Sequence, residues 1–169
     1  MSKVNTYTFA TYSYPVSVET RPGTTASGTT IEYISVYIPP NLFRVGDTVE
    51  LSFLVTDANT NSVGTKFCYW NAGTTSVTNA VIVAYYASST SNAGFQPVTR
   101  FIHIASPTQS FIGATAQSYL TQMSSLNNSG SEMINALVTV NIDWTVAGYF
   151  FVRGGVTGDR GQYIYVNRK

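Results

Sequence analysis

Few residues in this chain could carry chemistry. His103 is the single histidine and Cys68 the single cysteine. The carboxylates are Glu19, Glu32, Asp47, Glu50, Asp57, Glu132, Asp143 and Asp159. A histidine can act as a general base, but a histidine metal centre needs further ligands and the chain offers no second histidine. A serine nucleophile of the hydrolase kind would sit in a Gly-x-Ser-x-Gly elbow, which is absent. Glycoside hydrolysis needs two carboxyl groups roughly 5–10 Å apart, and no spacing here places such a pair in a cleft. Asp47, Asp57 and Asp159 fall in turn-like sequence, where Asp is favoured for backbone reasons. Asp143 precedes Trp144 at a strand end and is expected to cap a corner. The glycine-rich stretch from Gly154 to Gly161 lacks the Gly-Lys-Ser/Thr ending and the following helix of a phosphate loop, so it reads as a hairpin connection. Trp70, Tyr85 and Tyr86 could stack on sugar rings, but the same residue types suit a core or a subunit interface. These readings predict a chain with no catalytic residues, no cofactor and no metal.

The elements that would position these residues are strands. Ile34, Val36 and Ile38 alternate with Ser35 and Tyr37, and Val49, Leu51, Phe53 and Val55 alternate with Glu50, Ser52 and Leu54. Period two marks half-buried strands. Between them lies Ile38-Pro39-Pro40-Asn41-Leu42-Phe43-Arg44-Val45-Gly46-Asp47, a double proline, an apolar loop and a Gly-Asp turn, which reads as a sandwich corner. Strands are predicted over 30–38, 48–56, 65–70, 80–87, 97–105, 110–116, 136–143, 146–153 and 162–167. The short joints exclude the long crossovers of parallel pairing, so the sheets should be antiparallel. Packed face to face, they should bury Val49, Leu51, Phe53, Val138, Val140, Ile142 and Trp144. Cys68, in Phe67-Cys68-Tyr69-Trp70, should be a buried small apolar residue. The irregular stretch after Tyr119 could hold a helical turn through Leu120, Met123 and Leu126.

The first 28 residues differ from the rest. Tyr7 and Phe9 alternate with threonines, and Tyr12, Tyr14, Val16 and Val18 alternate with Ser13, Pro15 and Ser17. This is extended chain, either a first strand of the sandwich or an arm that lays its aromatics on a neighbouring subunit; Pro15 excludes a central strand. Arg21-Pro22-Gly23 through Gly28 then reads as a linker.

Composition narrows the partners. Hydrophobic residues make up 44% of the 169 residues, aromatics 14% and charged residues 10%, against about 25% charged in an ordinary soluble domain. The formal net charge of +1 provides no basic stripe for nucleic acid. No run is long enough to span a membrane. Met1-Ser2-Lys3 opens without an apolar leader, which predicts a chain made in a cytoplasm that stays soluble or assembles there. The surface suits either a soluble monomer rich in threonine or a subunit of an assembly, and so little charge repulsion favours the assembly.

Several segments, in order, resemble the small jelly-roll domains of tailed-bacteriophage virion proteins. Ile38 to Asp47 resembles their I-P-x-N-x-h-x-x-G-D corner, h being apolar. Phe95-Gln96-Pro97-Val98-Thr99-Arg100-Phe101-Ile102 is similar to their central strand. Val140-Asn141-Ile142-Asp143-Trp144-Thr145-Val146 is similar to their h-x-I-D-W-T-h segment, and Tyr163 to Arg168 to their closing strand. The resemblance covers residues 30–169. Where that family often has a longer apolar segment before the last aspartate, this chain has Gly154 to Asp159. The resemblance implies an all-β, antiparallel jelly-roll β-sandwich over 29–169, with residues 1–28 as an extended N-terminal arm and linker. It implies a homotrimeric, non-enzymatic virion subunit of head-fibre or capsid-decoration type, assembled in the host cytoplasm. The arm residues Tyr7, Phe9, Tyr12, Tyr14, Val16 and Val18 would then anchor it to capsid or other virion proteins. The alternative is a tail-fibre or receptor-binding module that recognises host surface glycan. Neither reading involves nucleic acid or membrane insertion.

Overall fold

The computed structural model describes residues 17–20, 31–57, 65–87, 94–113, 137–154 and 159–169. These form ten strands: β1 (Ser17–Thr20), β2 (Ile31–Ile38), β3 (Thr48–Asp57), β4 (Thr65–Ala72), β5 (Val81–Ala87), β6 (Gly94–Ser106), β7 (Gln109–Gly113), β8 (Leu137–Val140), β9 (Gly148–Gly154) and β10 (Arg160–Arg168). A six-stranded sheet runs in the order β1-β10-β3-β6-β7-β8, and a four-stranded sheet in the order β2-β9-β4-β5. All pairings are antiparallel, and the two sheets pack face to face as a β-sandwich.

The alternation read from sequence decides which side of each strand faces inward. In the large sheet Ile164, Phe53 and Val98 lie side by side, as do Val49, Ile102 and Ile112. In the small sheet the matching rows are Ile34, Val152 and Cys68, then Val36, Phe150 and Trp70. All of these side chains are buried in one core. Each large apolar side chain removed from water contributes about 1.5–3 kcal/mol, so these rows hold the two sheets together. Val49, Leu51, Phe53, Val140, Ile142 and Trp144 are buried as expected; the side chain of Val138 lies outside the described ones.

The connections β2–β3, β3–β4, β5–β6, β8–β9 and β9–β10 each pass from one sheet to the other. The glycine-rich link after β9 is therefore not the hairpin expected: β9 and β10 belong to different sheets. Close approach explains the glycine at its end. A Cβ on Gly161 would lie 2.7 Å from Ile34 of the opposite sheet, so any side chain there would push the sheets apart.

The Pro-Pro segment is a corner between the sheets. Proline has no N–H for the ladder, so β2 stops at Ile38. Asn41 (φ 58°) and Gly46 (φ 92°) take left-handed backbone conformations that these two residue types tolerate. The β8–β9 corner departs from expectation in its bounds: β8 ends at Val140 and β9 begins at Gly148. Asp143 Oδ1 accepts both the Thr145 N–H (2.9 Å) and its hydroxyl (2.6 Å), and Trp144 N–H goes to the Pro107 carbonyl (2.9 Å). These bonds divert the backbone from strand pairing, and Asp143 caps the corner as its position suggested.

Val18 stands in β1, paired with Val166 at the edge of the large sheet and packed against the core. Ser17–Thr20 is thus sandwich strand, although the sequence reading grouped it with the arm. Tyr7, Phe9, Tyr12, Tyr14 and Val16 lie outside the described residues, as do the linker 21–28 and the stretch 114–136.

Candidate functional site

Several of the described side chains that could carry chemistry are held by structural bonds. Asp47 Oδ2 accepts the Arg44 N–H and pairs with Arg168 Nε, both at 2.8 Å. Glu50 accepts the Tyr165 hydroxyl at 3.1 Å and pairs with Lys169 Nζ at 2.5 Å; that carboxylate raises the Lys169 pKa, chiefly through the hydrogen bond. Asp159, read as a turn residue, is fully buried with the Tyr33 hydroxyl 3.5 Å from its Oδ2. His103 stands on the exposed side of the large sheet, its Nδ1 3.5 Å from Thr48 Oγ1. Cys68 is buried, and desolvation pushes its thiol pKa well up, so no thiolate forms at neutral pH. Trp70 lies in the core, tilted against Trp144 and Phe150, out of reach of a sugar. The side chains of Tyr85 and Tyr86 are outside the described ones. Among the described residues no three His, Cys, Asp or Glu side chains gather to hold a metal.

Two surface features remain. The first is a depression of about 210 Å³ at the corner end, lined by Asn41, Phe43, Arg44, Val45, Ile104, Pro107, Trp144 and Thr145. Its walls are tied by Gly46 N–H to the Ile104 carbonyl (2.9 Å) and Ile104 N–H to the Asp47 carbonyl (3.0 Å). It falls below the roughly 300–1,000 Å³ of a small-molecule pocket and could take one side chain.

The second is the outer face of the small sheet, which carries more aromatic side chains than that of the large one. On the large sheet the outward residues mix polar contacts with apolar side chains: Ser52 meets Thr99 (3.1 Å), Tyr165 donates to Glu50 and His103 lies near Thr48, while Phe101 is 54% exposed and Tyr163 stacks on Tyr165 with centroids 5.8 Å apart. On the small sheet they are aromatic. Tyr37 lies opposite Tyr149, and Phe151 opposite Tyr69, which in turn faces Ile82; Arg153 lies between Glu32 and Phe67. The Tyr69 ring stacks on Phe151 with centroids 5.4 Å apart, and Tyr37 tilts on Tyr149 at 5.4 Å. Phe151 is fully buried although it points away from the core, while Tyr37 and Ile82 at the two sides remain 46% and 47% exposed. Burial raises the Tyr69 hydroxyl pKa, against a smaller opposing pull from Arg153.

An antiparallel sheet with one solvated face normally alternates apolar with polar. Phe67 to Trp70 and Tyr149 to Val152 are unbroken apolar runs, the pattern of strands covered on both faces. That signal was present in the sequence, but the runs were read only as strands. This outer face is the candidate functional surface. Comparison of the chain with family models, with curated proteins and with solved structures finds no match.

Proposed function

We propose that this chain is a non-enzymatic structural protein of a tailed-phage virion, a jelly-roll subunit that forms a homotrimer on the head and joins other virion proteins through its N-terminal segment. The observation that carries the reading is the aromatic outer face of the small sheet, a surface suited to contact with protein on a chain with little charge to oppose association. The strand order supports the fold part. Leaving aside the β7–β8 hairpin, the sheets read β1-β10-β3-β6 and β2-β9-β4-β5, an order in keeping with the two Greek keys of a jelly roll. Fold alone does not assign function, so the virion reading rests on the ordered corner and strand motifs taken together with this face.

Two measurements test it. Mass spectrometry of gradient-purified phage particles should find the chain as a stoichiometric component. Light scattering of the purified full chain should give the mass of three copies. Absence from particles would sink the virion reading, and a monomer at micromolar concentration would sink the trimer. Of the three aromatics named for the glycan-binding alternative, Trp70 is buried, and the side chains of Tyr85 and Tyr86 lie outside the described ones.

A further inference from the structure

We propose that the outer face of the small sheet, centred on Tyr37, Tyr149, Tyr69 and Ile82, receives residues 1–16 of a neighbouring copy. This names the surface and the segment for the assembly proposed above, and it rests on that reading.

The size of the face favours a segment over a folded domain. Four strands at about 4.8 Å spacing set its outer strand axes about 14 Å apart, and the rows from Tyr37 to Glu32 run about 17 Å. A few hundred Å² results, well short of the roughly 800 Å² per partner in a standard interface. One extended chain laid across it fits that area.

The place where the described chain begins favours residues 1–16. Ser17 pairs with Asn167 at the corner end of β1. β1 lies beside β2, the edge strand of the small sheet, and Tyr37 sits next to the corner end of β2. Sixteen residues can span about 50 Å when extended, enough to pass from one copy to the next. β1 runs away from the corner end, so residues 1–16 join the described chain at that end.

The chemistry matches as well. Residues 1–16 carry Tyr7, Phe9, Tyr12, Tyr14 and Val16, no carboxylate, and a single charged side chain, Lys3. On the receiving face, an acidic and a basic residue, Glu32 and Arg153, stand opposite each other in register. Aromatic side chains would therefore meet aromatic side chains around Tyr37, Tyr149 and Tyr69, the arrangement favoured at interface centres, with the Glu32–Arg153 row at the far end of the face.

The test uses the full chain, a form lacking residues 1–16, and the double variant Tyr37→Glu/Ile82→Glu. Both residues are about half exposed, so the charges should leave folding intact, checked by circular dichroism. Both altered forms should associate at least tenfold more weakly by sedimentation velocity. A photo-crosslinking phenylalanine at position 37, in a mixture of isotopically light and heavy chains, should capture peptides from residues 1–16 of the other chain. Undiminished assembly of either altered form, or capture only within one chain, would overturn the proposal while leaving the trimer standing. A monomeric full chain would overturn both.

Discussion

Asn41 donates its backbone N–H to the Trp144 carbonyl at 2.8 Å, from a backbone φ of 58°. The bond ties the β2–β3 corner to the β8–β9 corner. Trp144 extends the tie into both sheets: its ring meets Phe43 edge-on at 5.5 Å and Trp70 at 5.5 Å, and its Nε1–H donates to the buried Ser110 hydroxyl at 2.9 Å.

Trp144→Phe should lower stability by about 1–3 kcal/mol, because it leaves the Ser110 hydroxyl without its indole donor and opens space beside Phe43. Urea unfolding of the two forms checks this. An unchanged midpoint would show that the indole bond contributes nothing to the fold.

Gly148→Ala should be costlier than its single methyl suggests. The added Cβ would lie 2.5 Å from the Trp70 ring and 2.9 Å from the Asn71 carbonyl. Neither neighbour can yield without disturbing the β4–β9 pairing, so a loss of about 1–3 kcal/mol or more is expected. The double variant Gly148→Ala/Trp70→Leu should lose less than the two single changes added together, as thermal denaturation would show.

Cys68 should report global unfolding. Its folded-state thiol pKa is raised by burial, so the native state holds the proton more tightly than the unfolded chain. The associated stability is fully present below the ordinary thiol pKa of about 8.5 and is lost as pH rises above it. At mildly alkaline pH a thiol reagent should label Cys68 only at the rate of unfolding, and at once in denaturant. Rapid labelling of the native protein would contradict the burial.

Most strands were legible because their order rests on local alternation, as in Val49 to Val55. The corners were less so. Asp143 carried a readable capping signal, yet the lengths of β8 and β9 depended on Trp144 reaching Pro107, a contact between distant segments. The link after Gly154 was misread because glycine content marks a turn without saying which sheet the next strand joins. Asp159 looked like a turn residue, and its burial follows from Tyr33, far away in sequence. The outer face depended on register: only the pairing of Tyr69 with Phe151, and of Tyr37 with Tyr149, turns scattered aromatics into one surface.

The strand order also bears on how the molecule is made. β9 lies between β2 and β4, and β10 between β1 and β3. β9 and β10, the last of the described strands in chain order, are thus interior strands of both sheets. Until they arrive, the earlier strands stand with open, unpaired edges, the situation that invites misassembly. Completion of the sandwich must wait for sequence beyond Gly148, and because these pairings join distant parts of the chain, the closing step should be slow. Any chain cut short before β10 would be left with an apolar seam through its middle and nothing to close it.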